Sequence, residues 1–105
     1  MSIPAAEALP LNALIVLTPD GVASRILAKT AGGNVTLFAF DAGQGLTEHT
    51  SPFEALVQVL DGHFRITVGA TPIEAPAGTI VLMPAGIAHA VDAPVASRML
   101  LTMLK

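Results

Sequence analysis

The stretch Gly78-Thr-Ile-Val-Leu-Met-Pro84-Ala-Gly86-Ile-Ala-His89 decides how this chain is read. Gly78 opens a β-prone run, Thr79–Met83, that is apolar on both faces. Pro84-Ala-Gly86 then turns the chain sharply, and His89 lies in the next run, Ala88–Val91. Pro and Gly close the first run before a helix could propagate, so it reads as a buried strand.

The same rhythm extends outward in both directions. Turn signals stand at Gly32-Gly33-Asn34, Ala42-Gly43-Gln44-Gly45, Asp61-Gly62, Gly69-Ala70, Pro76-Ala77-Gly78 and Asp92-Ala93-Pro94. Between them lie Ser24–Thr30, Val35–Asp41, Ala55–Leu60, Phe64–Val68 and Arg98–Leu104. Short β-prone runs punctuated about every ten residues indicate a sandwich or barrel. In Phe64-Arg-Ile-Thr-Val68 the apolar residues alternate with Arg65 and Thr67, as in a half-buried strand. Asp61-Gly62 is a tight-turn pair, which predicts a β-hairpin over residues 55–68. Residues 1–20 form an arm with one short strand expected at Ala13–Leu17, and the only helical composition, Ala5–Leu9, ends at Pro10. At 105 residues the chain is expected to be a single domain, residues 1–105.

Composition narrows the function classes. Apolar residues make up 52% of the chain and charged residues 12%. A membrane-spanning helix needs ~20 consecutive apolar residues, whereas Pro84, Gly86 and His89 interrupt even the strongest run, Thr79–Val91. No Lys or Arg precedes Arg25, which argues against a secretory signal. The expectation is a soluble, cytoplasmic protein, with no membrane association, that hides its surplus apolar surface as a homodimer. Strands oily on both faces, such as Met99–Leu104 apart from Thr102, need the same cover. The formal charge is −3 and the basic residues Arg25, Lys29, Arg65, Arg98 and Lys105 are scattered, so no nucleic-acid footprint is expected. The absence of cysteine excludes disulfides, thiolate metal sites and a cysteine nucleophile.

The three histidines are unequal. His63 follows the Asp61-Gly62 turn and reads as a solvated residue at the start of a strand. His49 sits in Gly43-Gln-Gly-Leu-Thr-Glu-His49-Thr-Ser51-Pro-Phe-Glu-Ala55-Leu-Val-Gln-Val-Leu-Asp-Gly62, and His89 closes the stretch quoted first. Residues 43–62 and 78–93 resemble the first and second motifs of the cupin superfamily, in its small single-domain, RmlC-like form. The resemblance implies an all-β jelly-roll, or double-stranded β-helix, barrel.

In the second motif Gly78, Pro84, Gly86 and His89 all fall at the family spacing, and Ala93 replaces the usual terminal asparagine. In the first, Gly43, His49 and Gly62 are in register, but Ser51 stands at the second histidine position and Ala55 at the carboxylate position. The resemblance therefore implies two of four metal-ligand positions, His49 and His89, and puts the family's iron or manganese chemistry in doubt. Glu54 and Glu48 neighbour the vacant and occupied positions. Strand alternation turns both away, although a one-residue bulge after Pro52 would swing Glu54 inward.

Several readings of the pair stay open. Two neutral imidazoles, satisfied by backbone or by Ser51, line a metal-free pocket; or they bind a divalent ion, zinc, nickel or copper in preference to iron or manganese; or the register assumed here is wrong. Ser51 would hydrogen-bond a ligand or water in either of the first two. Phe38 and Phe40 share one face of Val35–Asp41, as core or as the apolar wall of a ligand pocket. Met83, Met99 and Met103 read as core or interface filler. The functional expectation is a small-molecule-binding domain for a sugar acid or carboxylate near His49, Ser51 and His89. The alternatives are a metal-dependent enzyme of isomerase, dioxygenase or decarboxylase type, and a ligand-sensing or interaction module.

Overall fold

The computed structural model describes residues 2–105. Nine strands account for nearly all the regular structure: β1 (Val22–Thr30), β2 (Gly33–Phe40), β3 (Gln44–His49), β4 (Glu54–Asp61), β5 (His63–Val68), β6 (Thr71–Pro76), β7 (Ile80–Met83), β8 (His89–Ala93) and β9 (Ser97–Leu104). They form a five-stranded sheet, β1-β2-β9-β4-β7, and a four-stranded sheet, β3-β8-β5-β6. Every recorded pairing is antiparallel. This is the expected all-β jelly-roll barrel. Among the described residues no helix is long and apolar enough to cross a membrane.

The inner faces of the two sheets make the main core. Alternation on β4 sends Ala55, Val57 and Val59 inward, and on β5 it sends Phe64 and Ile66. Phe40 of the larger sheet meets Phe64 of the smaller edge to face, with centroids 5.1 Å apart. Each ring is fully buried, which contributes about 1.5–3 kcal/mol per side chain. A second cluster lies on the outer face of the larger sheet. There Ile3, Leu14, Ile15 and Leu17 of the arm cover Leu27, Leu37, Ala39 and Leu100. Ile3 N–H donates to Leu27 O (2.8 Å), and the Arg25 guanidinium donates to Leu14 O (3.1 Å). The arm thus supplies part of the cover that the doubly apolar strands require.

Two expectations are corrected. Ala13–Leu17 is not a strand: Leu11–Ala13 is a 3-10 turn, and residues 14–17 carry no strand. Their alternation is real, with Ile15 buried and Val16 82% exposed, but it reflects docking onto a sheet face and not ladder pairing. Residues 55–68 do not form a hairpin either, because β4 belongs to the larger sheet and β5 to the smaller. Asp61-Gly62-His63 is a corner at which the chain changes sheets. Gly62 sits at φ +78°, and a Cβ there would lie 2.1 Å from Ser97 Oγ. That hydroxyl accepts from His63 N–H (2.9 Å) and donates to Val95 O (2.8 Å), fastening the corner to the start of β9.

Strands β3 and β6 were not expected from the sequence. Both are edges of the smaller sheet, where breaker residues such as Gly45, Pro72 and Pro76 can stand in a strand. A Gly62→Ala variant should lose about 2–3 kcal/mol of stability from left-handed backbone strain and the clash with Ser97. Urea denaturation followed by far-UV circular dichroism checks this, and an unchanged midpoint would show that the corner tolerates a side chain.

Candidate functional site

Pairing of β3 with β8 places His49 directly opposite His89. Their register shifts between Leu46 and His49. Without that irregularity Glu48 would share the face of Leu46. With it, Leu46 and His49 both line one pocket between the sheets, and Glu48 is exposed. His89 is only 4% exposed, whereas His49 is exposed to solvent at the rim.

The two rings meet at a steep angle, 76° between planes with centroids 4.4 Å apart, and their Nε2 atoms are 3.1 Å from each other. Each Nδ1 faces the backbone carbonyl two residues earlier. His49 Nδ1 lies 2.7 Å from Thr47 O, and His89 Nδ1 lies 3.2 Å from Ile87 O. A carbonyl only accepts, so each of these contacts needs a proton on the ring nitrogen. The Nε2–Nε2 contact needs one more. Three contacts require three protons, and two neutral imidazoles carry two. One contact is therefore left without its proton until a third, or another electrophile, arrives. A third proton is disfavoured here: burial pushes His89 below the usual imidazole range, and repulsion from His49 adds to it, against the opposing Ile87 contact.

Ser51 also lines the pocket. Its Oγ accepts from Phe53 N–H (3.1 Å), and its carbonyl accepts from Gly86 N–H (2.8 Å), tying the loop before β4 to the loop before β8. Glu54 does not swing inward. It is exposed, and its Oε2 accepts from Ala85 N–H (2.8 Å), a second clamp between the same loops. Nothing in the sequence pointed to that clamp, because the two residues lie 31 positions apart. Ala55, which the motif resemblance sets at the family's carboxylate position, lies in the pocket wall. The register sets it between Met83 of β7 and Met103 of β9.

Phe38 and Phe40 lie elsewhere. They stack at 6.0 Å within the main core, and neither is among the residues lining this pocket. His63 is apart as well. Its Nε2 is 2.7 Å from Glu74 Oε1, and Arg65 Nε donates to Glu74 Oε2 at 2.7 Å. Arg65, followed by His63, holds the Glu74 carboxyl below its usual range.

The donor set does not fit the four-ligand ion shell of the family. No group of three or more His, Cys, Asp or Glu that could hold a metal ion occurs among the described residues. Two imidazoles remain, backed by thioethers and aliphatic side chains in a cavity of about 90 Å³.

The lowered affinity of His89 for a proton has a sign in stability. The unfolded imidazole binds its proton with a pKa near 6.5, and the folded one binds it less readily. Below that value the unfolded chain holds more protons, so stability falls as pH falls. Between pH 7.5 and 5.5 the loss attributable to this one group should not exceed about 1.4 kcal/mol per pH unit. Thermal melts across that range should show the fall for the native chain and a shallower one for His89→Asn. Equal slopes would remove His89 as the cause.

Comparison with known proteins agrees with this fold. A conserved protein of unknown function from Streptococcus pyogenes is 34% identical, superposes with a TM-score of 0.93, and is matched over 100% of this chain and 92% of its own. A cupin superfamily protein from Desulfitobacterium hafniense is 27% identical, with a TM-score of 0.90 over 99% of this chain and 95% of that one. A Cupin 2 conserved barrel domain protein from Leptotrichia buccalis is 29% identical, with a TM-score of 0.85. That match takes in 90% of this chain and 46% of the longer relative. No curated protein matches in sequence. Residues 36–104, which carry both histidine motifs and all strands from late β2 to β9, match the cupin domain family, and the chain belongs to that family.

Proposed function

We propose that this chain is a small-ligand-binding cupin domain whose recognition element is the His49–His89 nitrogen pair. The observation that carries the reading is the 3.1 Å approach of the two Nε2 atoms in an otherwise apolar pocket, one of three contacts that two neutral imidazoles must make with two protons. A ligand or ion that engages the Nε2 atoms removes the shortfall, because both Nδ1–H groups can then donate to their carbonyls. A cavity of about 90 Å³ has room for roughly three water molecules. It therefore suits a ligand of a few heavy atoms, or the polar end of a longer one that passes the exposed His49. A small carboxylate meets that description, and a sugar acid does so only with most of its body outside. Catalysis of the isomerase, dioxygenase or decarboxylase type is the weaker reading, because a divalent centre finds two side-chain ligands here and no carboxylate.

The outer face of the larger sheet supports a homodimer. The arm covers β1, β2 and β9, but Ile80 and Leu82 of β7 project from the same face at 59% and 53% exposure. A second copy seated on that strip would hide it. Light scattering at micromolar concentration should give twice the monomer mass for the native chain and the monomer mass for Ile80→Lys/Leu82→Lys. A native monomer would refute the dimer.

For the pocket, the histidine ring resonances should be followed by NMR during titration with acetate, pyruvate, glycolate and a uronic acid. At least one compound should shift the His49 and His89 signals while those of His63 stay fixed. A folded protein whose three histidines ignore every compound would count against an organic ligand.

A further inference from the structure

The pocket that carries the histidine pair collects an unusual set of side chains. The chain has four methionines, and all three that lie beyond Met1, namely Met83, Met99 and Met103, line this one cavity together with His49 and His89. Their placement follows from register. Ala55, the small residue at the vacant carboxylate position, pairs with Met83 on one side and Met103 on the other, so the three form one inward-facing row across β7, β4 and β9. Met99 lies on the inner face of β9, and the histidines approach from the opposite sheet.

We propose that this pocket binds one cuprous ion, through His49 Nε2, His89 Nε2 and the thioether sulfurs of Met83 and Met103, with Met99 completing the wall. The inference rests on the reading of this pocket as the ligand site and names the ligand. Three observations support it. The first is donor chemistry: thioether and imidazole are neutral, soft-to-borderline ligands that select Cu(I) over the hard divalent ions. The second is charge. No carboxylate lines the cavity, and its walls are almost wholly apolar. Desolvation grows with the square of the charge, so a monovalent ion costs roughly a quarter of what a divalent one does in such surroundings. The third is orientation. Both Nδ1 atoms are within hydrogen-bond distance of backbone carbonyls, Thr47 O and Ile87 O. That is the outer-shell arrangement that fixes a ligating imidazole and aims its Nε2 at a metal. Cu(I) accepting both lone pairs lets both Nδ1–H groups donate, which resolves the proton shortage of the pair without a third proton.

Packing alone would explain methionines in a core, and leucine would serve that purpose equally well. The test uses that equivalence. The full chain, under anaerobic and reducing conditions, is titrated with Cu(I) in competition with bicinchoninate, and the copper complex is measured by X-ray absorption. One equivalent of Cu(I) should be retained, with both nitrogen and sulfur in the first shell. Met83→Leu/Met103→Leu conserves volume and should keep the fold by circular dichroism. It should lose the sulfur shell and weaken Cu(I) binding by at least the roughly tenfold that removal of even an outer-shell partner costs. Zn(II) affinity, measured in parallel, should be unchanged by the double substitution. Failure to retain Cu(I), a first shell of nitrogen and oxygen only, or unaltered Cu(I) binding by the double variant would each overturn the proposal. If Cu(I) fails while an organic ligand still moves the His49 and His89 resonances, the pocket reading survives and its metal assignment does not. If neither Cu(I) nor any organic ligand engages the pair, both fall.

Discussion

The structure depends on the corner at Gly62. A barrel of two facing sheets requires the chain to leave one sheet and enter the other without breaking its hydrophobic alternation. Gly62 does this with a backbone conformation that side chains resist, pressed so closely on Ser97 that a Cβ has no room. Because the corner turns there, Val57 and Val59 of β4 and Phe64 and Ile66 of β5 face one another across the core instead of lying side by side in one ladder. A hairpin at the same residues would have placed them in a single sheet, with no interior between.

The pocket is the place where that interior is incompletely filled. Small Ala55 on one wall and a register shift in β3 on the other leave a space into which two imidazoles project. Two clamps hold the loops around it, Ser51 O to Gly86 N–H and Glu54 Oε2 to Ala85 N–H. The histidines are thus positioned by backbone pairing and loop anchoring before any ligand arrives, which limits the entropy that binding must remove. While both rings are neutral, their three contacts share only two protons. The core around them is apolar and well packed, and such a local mismatch is more often found at a binding site than in a purely structural interior.

Much of this was legible in the residues. Regularly spaced turns and the frames around His49 and His89 identified the barrel and the pair, since Gly, Pro and His at fixed offsets report turn geometry and strand placement together. The Asp61-Gly62 dipeptide was misleading because a sheet-changing corner and a hairpin ask for the same backbone conformation at glycine. Local sequence does not say whether the next strand pairs with the last. Strands β3 and β6 escaped notice because edge strands tolerate the residues that mark turns elsewhere. The inward register of His49 depends on a bulge that no pattern announces. Convergence of the three methionines was invisible for another reason: Met83 and Met103 lie 20 positions apart on strands either side of β4, and share a row only because each pairs with Ala55.

Ala55 also bears on how this pocket relates to those of its relatives. Alanine and glutamate codons can differ at a single base, and the alanine already stands on the wall facing the two imidazoles. One nucleotide change would thus place an acidic group where the family keeps its own, on a backbone that needs no rebuilding. Flanking methionines would then crowd the newcomer, so the change would be tolerated most easily after one of them had shrunk. A barrel of this kind lies a short mutational path from a hard-metal site, with the order of steps set by the space around one β4 residue.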